Sequence, residues 1–302
     1  MALSHGISEA GLGGQLFERH CALVVAPPLA SFKDTDPSAV VIEAGPDEPT
    51  LRVVFKVKKH PGHKPNTASI TVYNLAETSR ALMQSKGSRV ILRAGYEGAQ
   101  GTIFHGDSLT IDHQHEGPNW LTKIEAKDGG RAYLRARVKE SFLGRVPGGT
   151  AIMRVAESLG LGLGNLPALV PSINATHAHE HGWVAHGRAA TELTRLLKAV
   201  GLDWSVHDGE LVVRRPGTSA TEIVRLDEDH GLIGTPEHVT SEKKGADPLL
   251  KLRSLLRYEL RPDVRIDLES AQHSGVYTIK AMEHEGDTDA GPWYTTMEAK
   301  SA

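Results

Sequence analysis

The stretch Gly117-Pro118-Asn119-Trp120-Leu121-Thr122-Lys123-Ile124-Glu125-Ala126-Lys127 returns near the end of the chain as Gly291-Pro292-Trp293-Tyr294-Thr295-Thr296-Met297-Glu298-Ala299-Lys300. The two copies keep their order and spacing, apart from one residue of slip near the tryptophan. Upstream segments repeat at nearly the same offset, namely residues 90–92 with 264–268 and residues 101–104 with 275–278. Strands rich in Val, Thr and aromatics can look alike by chance, but the kept order favours two copies of one β domain.

Strand and helix patterns around the two copies complete the expected organisation. Leu51, Val53, Phe55 and Val57 alternate with other residues, as a half-buried strand requires. Between the copies, two amphipathic helical stretches end at glycines, and an Asp-Gly turn joins two apolar runs into a hairpin. The sequence therefore predicts a mainly β fold of the α+β class, in which two duplicated barrel-like or sandwich-like domains flank a small α/β module. The predicted divisions are 1–45 (an arm or loose strands), 46–130, 131–215 and 216–302.

The composition is that of a globular protein and narrows the functional classes. The chain has 302 residues, of which 39% are hydrophobic and 24% charged, and its net charge is −3. A dedicated nucleic-acid binder would usually be basic, so that class is disfavoured. A single cysteine, Cys21, excludes an internal disulfide and fits folding in a reducing compartment. The sequence predicts neither a signal peptide nor a membrane span, because no basic n-region precedes an apolar run and every apolar run is short.

An ordered series of segments along residues 50–300 resembles a known family. The segments are Ser69-Ile70-Thr71-Val72-Tyr73-Asn74-Leu75, Val90-Ile91-Leu92-Arg93-Ala94-Gly95-Tyr96-Glu97-Gly98, Ile103-Phe104-His105-Gly106-Asp107, Gly231-Leu232-Ile233-Gly234-Thr235-Pro236-Glu237, Leu252-Arg253-Ser254-Leu255-Leu256, Gly275-Val276-Tyr277, His284-Glu285-Gly286-Asp287-Thr288 and Trp293-Tyr294-Thr295. The series resembles the baseplate hub proteins of contractile-tail phages, of the phage late control D-like type, which carry two tube-like β-barrel domains. One departure is Asp263, which stands where such proteins often carry glycine, and this weakens the expectation of a tight turn there.

The resemblance implies a non-enzymatic virion protein, assembled in the host cytoplasm as a homotrimer at the tip of the tail tube. Its implied partners are the tail tube protein or a tube adaptor, the central spike protein and the tape-measure protein, with DNA passing through the channel without specific binding. Wall-degrading activity is not carried over, because no lysozyme-like or peptidase-like insertion is visible. The repeat leads to the same symmetry independently, since three chains with two similar domains offer six near-equivalent surfaces to a six-fold tube.

The alternatives are an enzyme and a different structural role. On a strand, His177, His179 and His181 would share one face and could bind a metal ion, so a metal-dependent hydrolase is the enzymatic alternative. A His-rich polar loop explains the same residues, and no catalytic residue or cofactor is assigned. A tail-tube or adaptor subunit is the structural alternative, although a six-fold tube needs only one barrel per chain.

A basic run and a histidine pair also allow more than one interpretation. The run could neutralise phosphates, form a solvated strand end or contact an acidic partner. Its members are followed by no acidic residue until Glu77, and they are Arg52, Lys56, Lys58, Lys59 and Lys64. His113 and His115 share the alternate spacing of the histidine cluster, and the sequence favours the solvent face of a hairpin for them.

Overall fold

The computed structural model of the protein describes residues 18–27, 39–45, 51–60, 65–83, 87–129, 136–215, 223–239 and 248–302. Most of these residues lie in strands, which confirms the mainly β prediction. The strands are, in chain order, β1 (Arg19–Ala26), β2 (Val40–Ala44), β3 (Val53–Lys59), β4 (Thr67–Tyr73), β5 (Arg89–Tyr96), β6 (Ala99–Glu116), β7 (Asn119–Lys127), β8 (Arg137–Phe142), β9 (Val146–Pro147), β10 (Ala178–His179), β11 (Trp183–Arg188), β12 (Asp203–His207), β13 (Glu210–Arg214), β14 (Ile223–Leu226), β15 (Glu237–Val239), β16 (Leu249–Leu255), β17 (Arg265–Glu269), β18 (Ser274–Asp287) and β19 (Trp293–Ser301). The helices are α1 (Glu77–Leu82), α2 (Gly148–Glu157), α3 (Leu166–Thr176) and α4 (Ala189–Ala199).

One large sheet runs through most of the protein. Its strand order is β15-β16-β19-β18-β3-β4-β7-β6-β5-β1-β2, and β17 and β14 extend it beside the first part of β18. We call β1–β7 the first β unit and β14–β19 the second β unit. The order β3-β4-β7-β6-β5 in the first unit has the same connections as β15-β16-β19-β18-β17 in the second. The outermost strands differ, because β1 runs antiparallel to β5 whereas β14 runs parallel to β17.

Each β unit buries one face of its strands in a core. In β3 the side chains of Val53, Phe55 and Val57 are buried, while Lys56 and Lys58 on the other face are exposed. The period of two places every second residue on the apolar side, as a sheet with one buried face requires. The core of the first unit also takes in a tryptophan and a leucine from the second unit. The two units are therefore packed together as well as paired.

A separate α/β module lies between the two units in the chain. Its core packs the amphipathic helices α2 and α4 against Trp183 of β11 and Trp204 of β12. The predicted hairpin is β12–β13, and its turn has Asp208 at φ 54° followed by Gly209 at φ 81°. Both residues adopt the left-handed region that such two-residue hairpin turns need.

Part of the segment predicted to be an arm or loose strands is built into the sheet. Strand β1 pairs with β5 along its whole length, and β2 forms the edge beside β1. The reason is long-range pairing, because the short apolar run of β1 finds its partner far along the chain, where no local pattern signals it. The rest of the predicted segment, residues 1–17 and 28–38, lies outside the described residues.

The turn at Asp263 forms although the position is not a glycine. Asp263 adopts φ 68°, and Val264 N–H donates to Arg261 O at 3.2 Å across the turn. Aspartate tolerates this backbone region better than most residues do, so glycine is not required. The departure from the family pattern therefore leaves the local geometry intact.

Candidate functional site

The joint between the two β units is an antiparallel pairing of β3 with the second half of β18. The register runs from Lys59 opposite Met282 to Val54 opposite Asp287. Main-chain hydrogen bonds therefore cross directly from one unit to the other, and the two units form one continuous sheet.

Trp293, at the start of β19, anchors this joint. Its side chain is 1% exposed and meets the ring of Phe55 edge-on, with the ring centroids 5.4 Å apart. Its Nε1 donates to Gly95 O at 3.2 Å, which satisfies the indole donor inside the core of the first unit. Aromatic burial thus adds to the main-chain pairing.

Ion pairs across the joint involve the basic run. Lys56 forms ion pairs with Glu283 at 3.1 Å and with Glu285, and Lys58 lies 3.4 Å from Glu283. These acidic residues lie on β18, the strand next to β3. For Lys56 and Lys58, the acidic contact that the sequence allowed is therefore made with Glu283 and Glu285 of the same chain.

Arg52 completes the pairing at the other end of the joint. Its Nε and Nη2 donate to the two carboxylate oxygens of Asp287 at 3.1 and 2.7 Å, a bidentate geometry. Arg19 of β1 reaches the same place and donates from Nη1 to Asp287 O at 3.1 Å. Lys64 lies outside the described residues, and Lys59 belongs to a separate buried junction.

The face of the sheet that points away from the cores is polar and carries both charge signs. Cross-strand neighbours on this face include Ser69, whose Oγ donates to Glu125 Oε1 at 2.7 Å. Acids neighbour bases on this face, as Glu283 and Glu285 neighbour Lys56, so part of its positive charge is compensated. Its charged residues include Lys56, Lys58, Arg93, Asp112, Lys123, Glu125, Lys127, Lys251, Arg253, Glu283, Glu285 and Glu298.

Several strand edges of the sheet lack a strand partner among the described residues. The outer edges of β2 and β14 are two of them, and the outer edge of β15, beside β16, is a third. The fourth is the second half of β6, since β5 pairs with β6 only as far as Asp107 and residues 110–116 pair on one side alone, with β7. Unpaired edges expose rows of backbone donors and acceptors, so they can pair with another chain.

A cross-strand contact between histidine and threonine occurs in both β units. His113 Nδ1 lies 3.0 Å from Thr122 Oγ1 in the first unit, and His284 Nδ1 lies 2.9 Å from Thr295 Oγ1 in the second. Both threonines are fully buried. His284 is buried as well, where β3 pairs beside it, whereas His113 is partly exposed in the open half of β6.

The β-bulges of the two long hairpins also match. In β6 the register with β7 shifts where β7 carries the Glu-Ala pair at residues 125–126. In β18 the register with β19 shifts where β19 carries the Glu-Ala pair at residues 298–299. These two Glu-Ala pairs align in the sequence repeat. Bulges redirect strands at defined places, so their coincidence is a feature that the two units have in common.

A buried polar junction ties the α/β module to the first β unit. Lys59, at the end of β3, is fully buried, and its Nζ donates to Asp208 Oδ1 and Oδ2 at 2.9 and 2.8 Å. Asp208 N donates to Asp128 Oδ2 at 3.0 Å, and Asn66 Nδ2 donates to the same oxygen at 3.2 Å. His207 Nδ1 lies 3.4 Å from the Asn66 amide nitrogen. The β12–β13 turn is thus held by side chains from the first unit.

Burial shifts the titration of several groups around this junction. Desolvation, together with the neighbouring charge of Asp208, raises the pKa of Asp128 to about 7. Desolvation, followed by the charge of Lys59, lowers the pKa of His207 to about 4. The same two causes hold the pKa of His284 well below its usual range. The two histidines are therefore neutral at pH 7, because burial penalises their charged form.

The predicted histidine cluster is not brought together on one strand face. His177 follows the end of α3, with its Nδ1 2.8 Å from Thr176 Oγ1, and the ring of His179 stacks on that of Trp183 with centroids 5.8 Å apart. His181 lies in the following turn and is exposed. Within the part of the chain that the structure describes, no three His, Cys, Asp or Glu side chains are grouped to hold a metal ion.

The helices give no sign of a membrane-spanning segment. In the described ranges, none of them combines the length and the apolar composition that a bilayer crossing requires.

The sequence carried a signal for some of these residues and none for others. Lys59 occupies the inward position of the alternation Val53, Phe55, Val57, and a lysine at such a position signals a buried ion pair. The His–Thr contacts were missed because the hairpin turn of the second unit is longer, so the histidines align at a different offset from the threonines. Asp128 carried no signal, since only the fold brings it to Asp208.

Comparison with known proteins gives a fold assignment. No family model and no curated protein sequence matches this chain. A tail protein from Neisseria meningitidis MC58 superposes with a TM-score of 0.55 at 9% identity, over 93% of this chain and 96% of that one. The 43 kDa tail protein of prophage MuSo2 from Shewanella oneidensis gives a TM-score of 0.58 at 7% identity, over 94% of this chain and 98% of that one.

A third similar structure comes from a secretion machine. It is a component of the type VI secretion system of E. coli that itself resembles the T4 bacteriophage tail proteins gp27 and gp5. It gives a TM-score of 0.50 at 13% identity, over 85% of this chain and 75% of that one. At such low identities the likeness concerns architecture only. The chain therefore has the fold of phage tail proteins, a fold that also occurs in a type VI secretion component.

Proposed function

We propose that this protein is the structural hub of a phage-tail baseplate or of a related injection device. Three copies form a ring of six β units, which joins the tail tube to the central spike and surrounds the channel for the tape-measure protein and DNA. The observation that carries the proposal is the continuous sheet, in which two β units with the same strand order join edge to edge through β3 and β18.

Duplication is the first element of the proposal and has three supports. The strand order of the two units agrees, the bulges fall opposite the same Glu-Ala pairs, and each unit carries a His–Thr contact at a matching place. Chance similarity between β segments would not reproduce both a bulge and a His–Thr pair at matching places. A doubled unit lets a three-fold assembly present six similar surfaces to a hexagonal tube.

The channel is the second element of the proposal. In the ring, the polar face of the sheet lines the pore, and two of its basic side chains, Lys56 and Lys58, are paired with the acids Glu283 and Glu285. A lining of both signs lets DNA pass without strong retention, because phosphate contacts need uncompensated positive charge. The role is load-bearing and symmetry-matching, and no catalytic step belongs to it.

Native mass spectrometry of the full-length protein, with electron microscopy of the same sample, tests the proposal. We expect a three-subunit species with a central pore. A stable monomer at tens of micromolar protein would contradict it, and a hexamer would point instead to a tube or adaptor subunit. Stoichiometric zinc in the purified protein, with an activity lost on chelation, would favour a hydrolase that uses His177, His179 and His181.

A further inference from the structure

The internal joint of the sheet shows how a joint between two chains can be built. Within one chain, β3 of the first unit pairs with the second half of β18. The counterpart of β3 in the second unit is β15, and the counterpart of β18 in the first unit is β6. The outer edge of β15 and the second half of β6 are both unpaired among the described residues. The open edges of β15 and β6 are therefore the counterparts of the two edges, β3 and β18, that pair with each other in the internal joint.

We propose that β15 of one copy pairs antiparallel with residues 110–116 of β6 in a second copy, in the register of the internal joint. This inference rests on the proposed ring and names the surface that closes it. The occupant of the open half of β6 is a second copy of this chain, because the β15 edge that matches it within the same chain lies at the far end of the sheet.

The repeat fixes the register of the proposed joint on the β15 side. Glu125 of β7 and Glu298 of β19 align in the repeat, and they lie opposite Ser69 and Lys251 respectively. Ser69 in turn lies opposite Lys56, and Lys251 lies opposite Glu237. Glu237 of β15 therefore takes the place that Lys56 has in β3.

The same counting fixes the register on the β6 side. Trp120 and Trp293 align in the repeat, and they lie opposite His115 and Gly286. One residue earlier, Gln114 is then the counterpart of Glu285, which lies opposite Lys56 in the internal joint. The joint between chains accordingly sets Glu237 opposite Gln114.

The neighbouring pair in this register is His238 with His113. In the internal joint Val57 lies opposite His284, and these are the positions that His238 and His113 take in the repeat. The contact of His113 with Thr122, partly exposed in the single chain, then becomes covered in the way that the contact of His284 already is.

The exposure of the two repeated tryptophans agrees with this arrangement. Trp293 is 1% exposed because the first unit of its own chain covers it, whereas Trp120, at the equivalent place beside the open half of β6, is 41% exposed. The guanidinium of Arg80 lies over the Trp120 ring at 3.9 Å, and the His115 ring lies beside it at 5.1 Å. An exposed tryptophan next to an unpaired edge is typical of a surface that a partner covers.

A charge cycle at the predicted contact tests the register. Gln114→Glu sets like charges opposite each other, and we expect the trimer to dissociate roughly tenfold more readily, because the repulsion acts at all three joints. The single chain should fold normally, since Lys123 Nζ already donates to Gln114 Oε1 at 3.1 Å and can pair with the new carboxylate. Adding Glu237→Lys builds across the joint the pair that Lys56 and Glu285 form inside the chain, and this should restore the trimer.

The matched control for the charge cycle lies on the same strand. Gln100→Glu adds the same charge at an exposed position, but in the half of β6 that β5 already pairs with. We expect this variant to assemble as the wild type does. The readout for all variants is the trimer-to-monomer ratio on dilution, measured by native mass spectrometry.

Cysteine pairs give a second measurement of the same register. Gln114→Cys combined with Glu237→Cys should yield disulfide-linked trimers on mild oxidation. Asp112→Cys combined with Glu237→Cys should not, because diagonal neighbours lie too far apart for a disulfide. The native Cys21 does not interfere, since it is buried and burial raises the pKa of its thiol to about 12.

The outcomes separate the two proposals. A trimer that is insensitive to the charge cycle, and in which the double substitution forms no disulfide between positions 114 and 237, would overturn the β15–β6 joint and leave the ring intact. Equal weakening by Gln114→Glu and Gln100→Glu would overturn the joint as well. A wild-type chain that stays monomeric would overturn both the ring and the joint.

Discussion

Replacing Lys59 with methionine removes the ammonium group of the buried junction but keeps an unbranched side chain. Lys59 is fully buried and bonded to both oxygens of Asp208, whose side chain is 20% exposed. Removing one partner of a buried ion pair costs about 3–5 kcal/mol, because the other charge stays in a poorly solvated place. Asp208 keeps some contact with water, so we expect Lys59→Met to lower the free energy of unfolding by about 3 kcal/mol.

A double-mutant cycle separates the ion pair from the loss of packing. Asp208→Asn alone should cost a similar amount, and asparagine tolerates the left-handed backbone of this position. The combined variant should lose about 2 kcal/mol less than the sum of the two single losses, because the second change removes a charge that the first left unpaired. Guanidinium unfolding followed by circular dichroism at pH 7 measures each value.

The matched control for this cycle is a lysine on the same strand. Lys58→Met removes an ammonium that is 52% exposed and lies 3.4 Å from Glu283, and such a contact should be worth less than about 1 kcal/mol. Strictly additive losses for Lys59→Met and Asp208→Asn, or equal losses at positions 58 and 59, would refute the reasoning.

Three further predictions concern a buried acid, the aromatic anchor and close packing at the joint. The pKa of Asp128 is raised to about 7, so its contribution to stability is present below about pH 4 and is lost as the pH rises to about 7. In urea titrations across that window, the free energy of unfolding of Asp128→Asn should rise relative to the wild type by up to about 1 kcal/mol per pH unit. A difference between the two proteins that does not change with pH would contradict this prediction. Trp293→Ala should lower the free energy of unfolding by about 3–5 kcal/mol, whereas Trp120→Ala, at a 41% exposed side chain, should cost about 1 kcal/mol in the same guanidinium assay. Gly286→Ala would place its Cβ 2.2 Å from Phe55 Cζ, so it should lower the free energy of unfolding by about 1–3 kcal/mol. When Phe55→Leu is added, the loss of the double variant should be smaller than the sum of the two single losses. Losses that simply add would argue against a clash.

The repeat around Trp120 and Trp293 predicted a mainly β fold because a strand is recognisable from the alternation of apolar and polar residues within its own segment. Alternation in β3 marks which side chains face the core, and the Asp208–Gly209 turn marks a hairpin through its backbone preference alone. These features depend on residues that are close in the sequence, so the sequence is sufficient to predict them.

The joint and the buried junction depend on contacts that the chain makes only after folding. Nothing in the alternation of β3 specifies β18 as its neighbour, since any strand with a matching edge could pair there. Asp128 and Asp208 come together because a turn of the α/β module docks on the first unit, and neither residue is unusual in its own segment. The spacing of His177, His179 and His181 puts them on one face only if all three lie on a strand, whereas the chain turns at residues 180–181, before His181 is passed.

The pairing of β3 with β18 also determines how the molecule responds to mechanical load. A pull along the strands acts on every inter-strand hydrogen bond of this ladder at once, so rupture requires all of them to yield together. A pull across the strands opens the ladder from one end, one bond at a time, and meets far less resistance. The ladder is accordingly stiff along its strands and easily opened across them, and the bidentate contact of Arg52 with Asp287 lies at one of its two ends.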